Sequence, residues 1–446
     1  MTRELDLGGF QIASHVAHSH GAWRDPGSQL DFLDAKHWTR IGRTLERGKF
    51  DFVFFADLLA VPTNYGGNER EALRRGTQAS ATIEPSVVAA TIAGFTERLG
   101  MALTKSTTYF HPFDLARLFS SLDHLSGGRA AWNIVNSLSR AEAQNFGQDL
   151  ALDHDSRYER AEEFVSAFVQ LVESWDPDAL VLDKDAGFFA DPDNLHAIFH
   201  EGKYFRSRGP LPTPRSPQGR PGLIQAGSSA TGKNFAARWA DAIFEIDPTA
   251  EGRRAYYDDV KSLVGDAGRN PDGVKVLPLF IPFVGRSRAE AEDKQARHNE
   301  NADPISGLLT LSVHTDHDFS VYDLDAPIED IEVSGTRGLF EVARGLSRRD
   351  DLSLRDIGKL YAQGVLLPQF VGTAQDIADQ IEDGFHGGEA DGFILSAAQT
   401  PGTFDDFVDL VVPELQRRNL FRREYRGATL REHLGLEPAF DLVPAR

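Results

Sequence analysis

The chain has 446 residues, 41% of them hydrophobic, and a formal net charge of -20. This length can bury a large core, in two domains or in one α/β barrel with insertions, which disfavours a disordered or purely structural role. The acidic residues are spread along the whole chain. A nucleic-acid binder would need a basic face, and an anionic membrane would repel this charge, so neither partner is expected.

The chain has no cysteine. This excludes disulfides, zinc-thiolate sites and cysteine nucleophiles. The first 25 residues lack the uninterrupted apolar segment of a signal peptide, and no segment approaches the roughly 20 apolar residues of a transmembrane span. We therefore expect a cytoplasmic protein.

Short apolar segments rich in Val, Ile and Phe alternate with segments of helical spacing. The apolar segments are residues 7–14, 50–57, 99–107, 129–137, 222–229, 241–246, 274–285 and 391–398. Such alternation predicts a parallel sheet covered by helices. Because no early strand is followed by G-x-G-x-x-G, a Rossmann sheet is disfavoured, and eight units predict a TIM (β/α)8 barrel.

We interpret residues 1–446 as one barrel domain with insertions at about 176–221 and 286–390. The first insertion is rich in Asp, Pro and Gly, and the second contains "HTDHDFSVYDLDAPIED". Long excursions of this kind usually form walls or lids over the mouth of a barrel.

Polar residues close most of the predicted strands. Because TIM-barrel active sites form at the carboxyl ends of the strands, these residues are the candidates for a site. They are Ser14, His15, His18, His20, Asp57, Thr104, Ser106, Thr107, Asn133, Asn136, Ser137, Ser228, Ser229 and Ser396. Trp132 precedes Asn133, so strand alternation places it on the opposite face, in the core.

Neither a metal site nor glycosidase chemistry is favoured. His15, His18 and His20 lack the spacing of a helical zinc pair, and no H-E-x-x-H occurs. Only Asp57 and Glu245 offer carboxylates at barrel ends, a weak basis for glycoside hydrolysis. The Gly-Ser-Ser sequence at residues 227–229 precedes a predicted helix, an arrangement that can hold a phosphate.

Several ordered segments resemble one enzyme family. They are "LERGKFDFVFFAD", "STTYFHPFDLARLFSSLDHLSGGRAAWNIVNS", "AEAQNFG", "HDSRYERAEEF", "RGPLPTPRSPQGRPGLIQAGSS" and "EYRGATLREHLGL". They resemble the nitrilotriacetate monooxygenase, pristinamycin synthase and dibenzothiophene sulfone monooxygenase group within the bacterial-luciferase-like flavin monooxygenases. The resemblance extends from about residue 7 to the C-terminus.

This resemblance implies a TIM barrel that takes reduced FMN from a separate NAD(P)H-dependent flavin reductase. Oxygen would add to the flavin to give a peroxyflavin that oxygenates a small molecule, and the protein would be a homodimer or homotetramer. The family's FMN contacts fall on Asp57, Thr104, His154, Tyr158 and Ser228.

Four further residues are candidates for the chemistry. From their strand-end positions we expect Asn133, Ser106 and Ser137 near the reacting face, and His20 facing the substrate as a donor or acid.

Ordinary structural roles remain open for several of these residues. Asp57 can cap a helix, and His154 with Tyr158 can form a surface pair four residues apart. Thr104 and Ser106 can be plain strand residues, and His20 can be a satisfied loop histidine.

The segments "HGAWRD", "LVLDKDAGFFADP" and "LSVHTDHDFSVYDLDAPI" are most similar to the dibenzothiophene sulfone branch. A polycarboxylate substrate would require several cations, and only Arg24 and Arg140 stand out near the mouth. Aromatic residues are more evident there: Trp23, Tyr65, Phe110 and Phe113. We therefore expect an aromatic or heteroaromatic substrate that undergoes C–S or C–halogen cleavage.

Three alternatives remain open. They are an aminopolycarboxylate monooxygenase of the nitrilotriacetate type, a deazaflavin-dependent oxidoreductase on the same fold, and a binding barrel without catalysis. Polar residues at so many strand ends argue against the last.

Overall fold

Eight parallel strands form a closed barrel. The structure is a computed structural model and describes residues 3–149, 154–227, 229–329, 331–333, 337–436 and 439. The barrel strands are β1 (Asp6–Ile12), β2 (Phe52–Ala56), β3 (Gly100–Ser106), β4 (Ala130–Val135), β5 (Gly222–Ala226), β6 (Ala242–Glu245), β7 (Lys275–Val284) and β8 (Gly392–Ser396). Each strand pairs with its neighbour in sequence, although the pairing of β7 with β8 is short, and β1 closes the ring by pairing with β8. Apart from Asp6, each strand lies inside its predicted segment, so the barrel prediction is confirmed.

Each strand separates two apolar layers by simple alternation. Phe10, Phe54 and Ile224 belong to the cluster that fills the barrel. Trp132 belongs to the outer cluster and packs against Phe164 and Phe168, with ring centroids 5.5 and 4.8 Å away. The prediction that Trp132 lies in the core, opposite Asn133, is therefore correct.

Helices surround the barrel and build its additional segments. They are α1 (Ala35–Arg47), α2 (Arg70–Arg75), α3 (Pro85–Ala93), α4 (Pro112–Ser126), α5 (Arg140–Asn145), α6 (His154–Val172), α7 (Ala230–Trp239), α8 (Ala250–Asp266), α9 (Arg288–Glu300), α10 (Pro304–Thr315), α11 (Arg337–Asp350), α12 (Leu354–Gly364), α13 (Ala374–His386), α14 (Gly402–Asp406), α15 (Val412–Arg417) and α16 (Leu430–His433). A π-helical turn, Phe407–Val411, joins α14 to α15. Many of these helices have a residue at the N-cap whose side chain bonds the first turn. Examples are Ser229 at α7 and the capping boxes of α12 and α13.

The segment 176–221 lies between α6 and β5 and contains two small antiparallel hairpins. One pairs Leu180–Asp183 with Phe188–Ala190, and the other pairs His200–Glu201 with Arg206–Ser207. The end of the segment attaches to α4, because Gln218 donates a hydrogen bond of 2.6 Å to Asp123.

The segment 286–390 covers the loops that follow β1 and β2. Its helices α10 and α12 share an apolar cluster of their own, separate from the barrel clusters. The backbone N–H of His20 donates to the Ala362 carbonyl at 3.0 Å, and Asn64 donates to Asp316 at 2.8 Å. A short strand, Gln369–Gly372, extends the sheet beside the carboxyl half of β7 and was not predicted from the sequence.

The chain after α15 closes the amino-terminal end of the barrel. Leu430 enters the barrel cluster, and a side chain at Gly100 would come within 2.8 Å of it, so glycine is needed there. Arg422 bonds Asp51 at 2.6 Å, and Arg431 bonds Asp241 at 2.9 Å. Because these contacts close the amino-terminal end of the barrel, the carboxyl end is the one available for a binding site. Within the described part of the chain, no helix has the length and apolarity to cross a membrane.

Candidate active site

A polar pair lies on the inner face of the barrel near the carboxyl ends of β3 and β4. Thr104 and Asn133 are direct neighbours in the sheet, and Asn133 Nδ2 donates to Thr104 Oγ1 at 2.8 Å. Asn133 is buried, and its Oδ1 has no partner among the described residues. A buried unpaired acceptor is costly unless a ligand or water satisfies it. Asn133 therefore offers an acceptor to a molecule in the barrel mouth.

Ser106 and Ser137 continue these two strands but have protein partners. Ser106 faces inward two residues beyond Thr104, and its Oγ accepts a hydrogen bond of 3.1 Å from the Thr108 N–H. Ser137 is half-buried beyond the end of β4 and bonds Glu142 of α5. Burial raises the pKa of Glu142, and its bonds to Leu59 and Ser137 oppose that shift. Ser137 thus contributes to fixing α5 near the mouth.

Asp57 follows β2 directly and belongs to an ionic cluster. Its Oδ2 lies 3.3 Å from Lys105 Nζ, which also contacts Glu84, the residue that caps α3. Burial raises the pKa of Asp57 to about 6, although Lys105 opposes this. The helix-cap role is wrong, because Glu69 and Glu84 occupy the two cap positions that follow β2. Asp57 and Lys105 instead line a groove of about 650 Å³.

The turn between β5 and α7 brings several donors together. Ser229 caps α7 and accepts a hydrogen bond of 3.1 Å from the Gly232 N–H, and Tyr158 of α6 bonds Ser229. A side chain at Gly232 would come within 2.8 Å of the Tyr158 hydroxyl, so glycine permits this approach. The N-terminus of a helix attracts anions through its free N–H groups. Ser228 lies outside the described residues, as does the side chain of His154.

Tyr158 is more than the exposed partner of a surface pair. It is half-buried, and its ring lies 5.9 Å from that of Phe235. Burial raises the pKa of Tyr158, and its bond to Ser229 opposes the shift. Its hydroxyl is therefore protonated at neutral pH and is hydrogen-bonded to Ser229 at the β5–α7 turn.

Three histidines meet under the segment 286–390. His18 Nδ1 lies 2.8 Å from Ser396 Oγ at the end of β8, and its ring stacks on Phe10 with centroids 4.1 Å apart. His20 Nε2 lies 3.1 Å from Thr310 Oγ1, whereas its Nδ1 has no partner in the described chain. His314 bonds Tyr361 at 3.0 Å.

These histidines are uncharged at neutral pH. Burial, with a smaller contribution from the nearby His314, lowers the pKa of His18 and of His20 to about 3. Burial also lowers the pKa of His314 to about 4. The group adds hydrogen-bonding capacity to the mouth without positive charge.

The aromatic residues singled out from the sequence mostly lie outside the mouth. Trp23 bonds the Arg75 carbonyl at 2.8 Å, Tyr65 packs on the cluster of segment 286–390, Phe113 joins the outer layer and Phe110 lines the Asp57 groove. The rings in the barrel include those of Phe10, Phe54 and Phe244, with centroid separations of 5.3 and 4.9 Å along that series. Sequence reasoning missed them because they lie within apolar strands and look like ordinary core.

Comparison with known proteins identifies the family. The luciferase-like monooxygenase family matches residues 12–392. The chain belongs to this family. It is therefore a monooxygenase of the luciferase-like type, as the sequence resemblance implied, and the TIM barrel is the fold of that family.

The chain is similar to two relatives and to one solved structure. The chain is 47% identical to a dibenzothiophene-sulfone monooxygenase of Rhodococcus erythropolis, over 97% of each chain. It is 39% identical to nitrilotriacetate monooxygenase component A of Aminobacter aminovorans, again over 97% of each chain. A crystal structure of riboflavin lyase with modified FMN and riboflavin is similar with a TM-score of 0.89, at 32% identity, covering 98% of this chain and 96% of that one.

The residues at the mouth fit a phosphorylated flavin. The unpaired Oδ1 of Asn133 offers an acceptor to a ring system, and the N-terminus of α7 with Ser229 and Tyr158 offers donors to a phosphate. Sequence reasoning did not select Lys105, since strand alternation turns it away from Thr104 and Ser106. It also did not foresee the contact between His18 and Ser396, which are 378 residues apart.

Proposed function

We propose that this chain is the oxygenating component of a two-component system that uses reduced FMN and O2 to oxygenate an aromatic sulfone. Bound reduced FMN supplies two electrons, so that one atom of O2 enters the substrate and the other leaves as water. The observation that carries this proposal is the 47% identity, over 97% of both chains, to a dibenzothiophene-sulfone monooxygenase.

The flavin would be held between two parts of the mouth. Thr104 and Asn133 would hydrogen-bond the ring system, and Tyr158, Ser228 and the α7 N-terminus would hold the phosphate. His154 and Asp57 stay in the proposal on the family resemblance. For Asp57, the nearby Lys105 would fix the carboxylate at the lip of the mouth.

The substrate side of the mouth suits an uncharged aromatic molecule. The rings of Phe10, Phe54 and Phe244 form an apolar series inside the barrel, and the neighbouring histidines are neutral. A polycarboxylate would need free cations there. Lys105 is committed to Asp57 and Glu84, and Arg24 and Arg140 are exposed to solvent. This favours a sulfone over an aminopolycarboxylate.

A separate flavin reductase would supply the reduced cofactor. The name of the relative from Aminobacter aminovorans, component A, indicates a system with more than one protein. No early strand of this chain is followed by a G-x-G-x-x-G turn for NAD(P)H. We also propose a homodimer or homotetramer, as implied by the resemblance.

Isotope labelling tests the proposed function. The purified protein, FMN, NADH and a flavin reductase are incubated under 18O2 with dibenzothiophene sulfone or with nitrilotriacetate, and products are analysed by mass spectrometry. We expect a sulfone-derived product carrying one 18O atom and no nitrilotriacetate product. Labelled product from nitrilotriacetate alone would replace the substrate assignment. The oxygenase assignment would be contradicted if neither substrate gave an 18O-labelled product and substrate turned over only when a deazaflavin was supplied.

A further inference from the structure

Glu245 ends β6 with a carboxyl group that has no assigned role. The residue is 9% exposed, and its Oε1 has no hydrogen-bond partner among the described residues. It lines a pocket of about 190 Å³ whose other walls are mostly carbon. These walls are Ala226, Gly227, Phe244, Ile246, Tyr256 and Leu339.

The cations near Glu245 are bound to other carboxylates. Arg253 of α8 donates to Glu389 Oε2 from two nitrogens, at 3.0 and 2.8 Å. Lys233 of α7 bonds Asp259 at 2.6 Å. Asp247, on the loop after β6, adds a repulsive negative charge. Tyr256, which is also protonated at neutral pH, lines the pocket from α8.

This environment keeps the carboxyl protonated at neutral pH. Burial raises the pKa of Glu245 to about 8, with Asp247 adding to the rise and Arg253 and Lys233 opposing it. A protonated carboxyl is a hydrogen-bond donor, whereas its ionised form only accepts. At pH 7 the carboxyl that lines the pocket is therefore a buried donor, and its Oε1 has no hydrogen-bond partner among the described residues.

The pocket borders the turn that leads into α7. Gly227 lines the pocket and comes directly after β5, and Tyr256 fixes it by donating a hydrogen bond of 2.6 Å to its carbonyl. Two residues later Ser229 caps α7, next to Tyr158. Glu245 thus lines the same pocket as Gly227, which begins a turn whose helix N-terminus favours an anion.

We propose that Glu245 donates a hydrogen bond from its protonated carboxyl to a phosphate oxygen of the ligand at the β5–α7 turn. The inference rests on the proposed function, in which that phosphate belongs to FMN. Inorganic phosphate shares the same chemistry and serves as a second probe. Glu245 would be a binding residue that distinguishes FMN from riboflavin.

A pH dependence follows from this arrangement. When Glu245 loses its proton, the donor becomes a negative charge beside the phosphate, so the affinity for FMN falls. One titrating group reduces affinity by at most tenfold per pH unit above its pKa. Riboflavin carries no phosphate, and its affinity should not depend on Glu245.

The experiment measures dissociation constants of FMN and riboflavin at pH 7.0 and 9.0 by flavin fluorescence. The variants are Glu245→Gln, which keeps a donor but cannot ionise, and Glu245→Ala, which removes the donor. Glu251→Gln is the matched control, because Glu251 is exposed in the first turn of α8. Far-UV circular dichroism checks that each variant is folded.

For the wild type and Glu251→Gln we expect FMN binding to weaken about tenfold from pH 7.0 to 9.0 while riboflavin binding stays constant. Glu245→Gln should bind FMN equally at both pH values, and Glu245→Ala should bind it about tenfold more weakly at pH 7.0. Inorganic phosphate should compete with FMN in the wild type at pH 7.0 and less well in Glu245→Ala.

The inference is overturned if wild-type FMN affinity does not change with pH, if riboflavin weakens in parallel, or if Glu245→Gln keeps the wild-type pH dependence. If any of these occurs while the enzyme still labels the sulfone from 18O2, only this inference fails. If the protein binds neither flavin and incorporates no label, the proposed function fails with it.

Discussion

Asn133 donates a hydrogen bond of 2.8 Å to Thr104 across neighbouring strands and keeps a second polar atom, Oδ1, without a protein partner. The bond fixes the orientation of the amide, because its nitrogen is committed to Thr104. The oxygen is then presented to the inside of the barrel mouth. An amide fixed in this way is organised before any ligand binds, which reduces the cost of binding.

Replacing Asn133 by alanine tests the role of this acceptor. We expect Asn133→Ala to weaken reduced FMN binding about tenfold, the loss of one or two hydrogen bonds, and to lower the product formed per flavin oxidised. Anaerobic titration and product analysis measure the two effects. Asn270→Ala is the control, since this amide is exposed at the amino-terminal end of β7. Equal behaviour of the two variants would rule out the role of Asn133.

We expect Trp132 to contribute more to the free energy of unfolding than its neighbour Asn133 does. It is fully buried against Phe119, Phe164 and Phe168, so Trp132→Ala should lower the free energy of unfolding by about 3–5 kcal/mol. Asn133→Ala should cost less than half of that, because it leaves no large cavity. Urea denaturation of both variants measures the difference. A smaller loss for Trp132→Ala than for Asn133→Ala would contradict the assignment of the two faces of β4.

Close helix packing in segment 286–390 predicts opposite effects at two glycines. A methyl group at Gly307 would clash with the backbone of Gly358 in α12, so Gly307→Ala should destabilise the protein by about 1–3 kcal/mol. Gly345 is at an exposed position of α11 with open space around it, and Gly345→Ala should stabilise the protein by about 0.5–1 kcal/mol. Thermal unfolding compares the two. Similar melting temperatures for both variants would be inconsistent with the α10–α12 contact.

The buried histidines predict acid sensitivity. A histidine in the unfolded chain has a pKa near 6.5, whereas burial lowers the pKa of His18 and of His20 to about 3 in the folded protein. Below pH 6.5 the unfolded state therefore binds more protons. The free energy of unfolding should fall by up to about 1.4 kcal/mol per pH unit for each histidine, and neither contributes to pH dependence above pH 6.5.

His20→Gln tests this linkage directly. The variant should lose about 2 kcal/mol less than the wild type between pH 6.5 and 4.5, because one buried site no longer takes up a proton on unfolding. His386→Gln, at an exposed position, should follow the wild type. Urea unfolding at several pH values gives the comparison, and identical acid slopes for all three proteins would refute the explanation.

The barrel was predictable because its signal is local. Each strand is a short apolar segment between helical patterns, and strand alternation alone placed Trp132 outside and Asn133 inside. The short strand Gln369–Gly372 lacks such a signal, because it is only four residues long and lies inside a segment read as an insertion. Tertiary pairing with β7 creates it.

The site was predictable only in part, because side-chain partners are far apart in sequence. The end of β2 identified Asp57 as a candidate. However, no neighbouring sequence feature indicates that Lys105 forms an ion pair with its carboxylate. The sequence places His20 in a loop. Only the tertiary structure shows that the segment 286–390 brings Thr310 into contact with its ring. Likewise, "EYRGATLREHLGL" carried the family resemblance, yet its role in closing the opposite end of the barrel depends on the contact of Arg431 with Asp241 and on Leu430 in the barrel cluster.

The most direct test of the central claim is a single-turnover measurement. The protein is loaded with one equivalent of reduced FMN without oxygen, then mixed with oxygenated buffer containing dibenzothiophene sulfone, and oxygenated product is counted per flavin. We predict close to one product per flavin, and flavin oxidation kinetics that differ from those of free FMN. Flavin that oxidises as it does free in solution, with no sulfone product, would contradict the assignment of this chain as a flavin-dependent sulfone oxygenase.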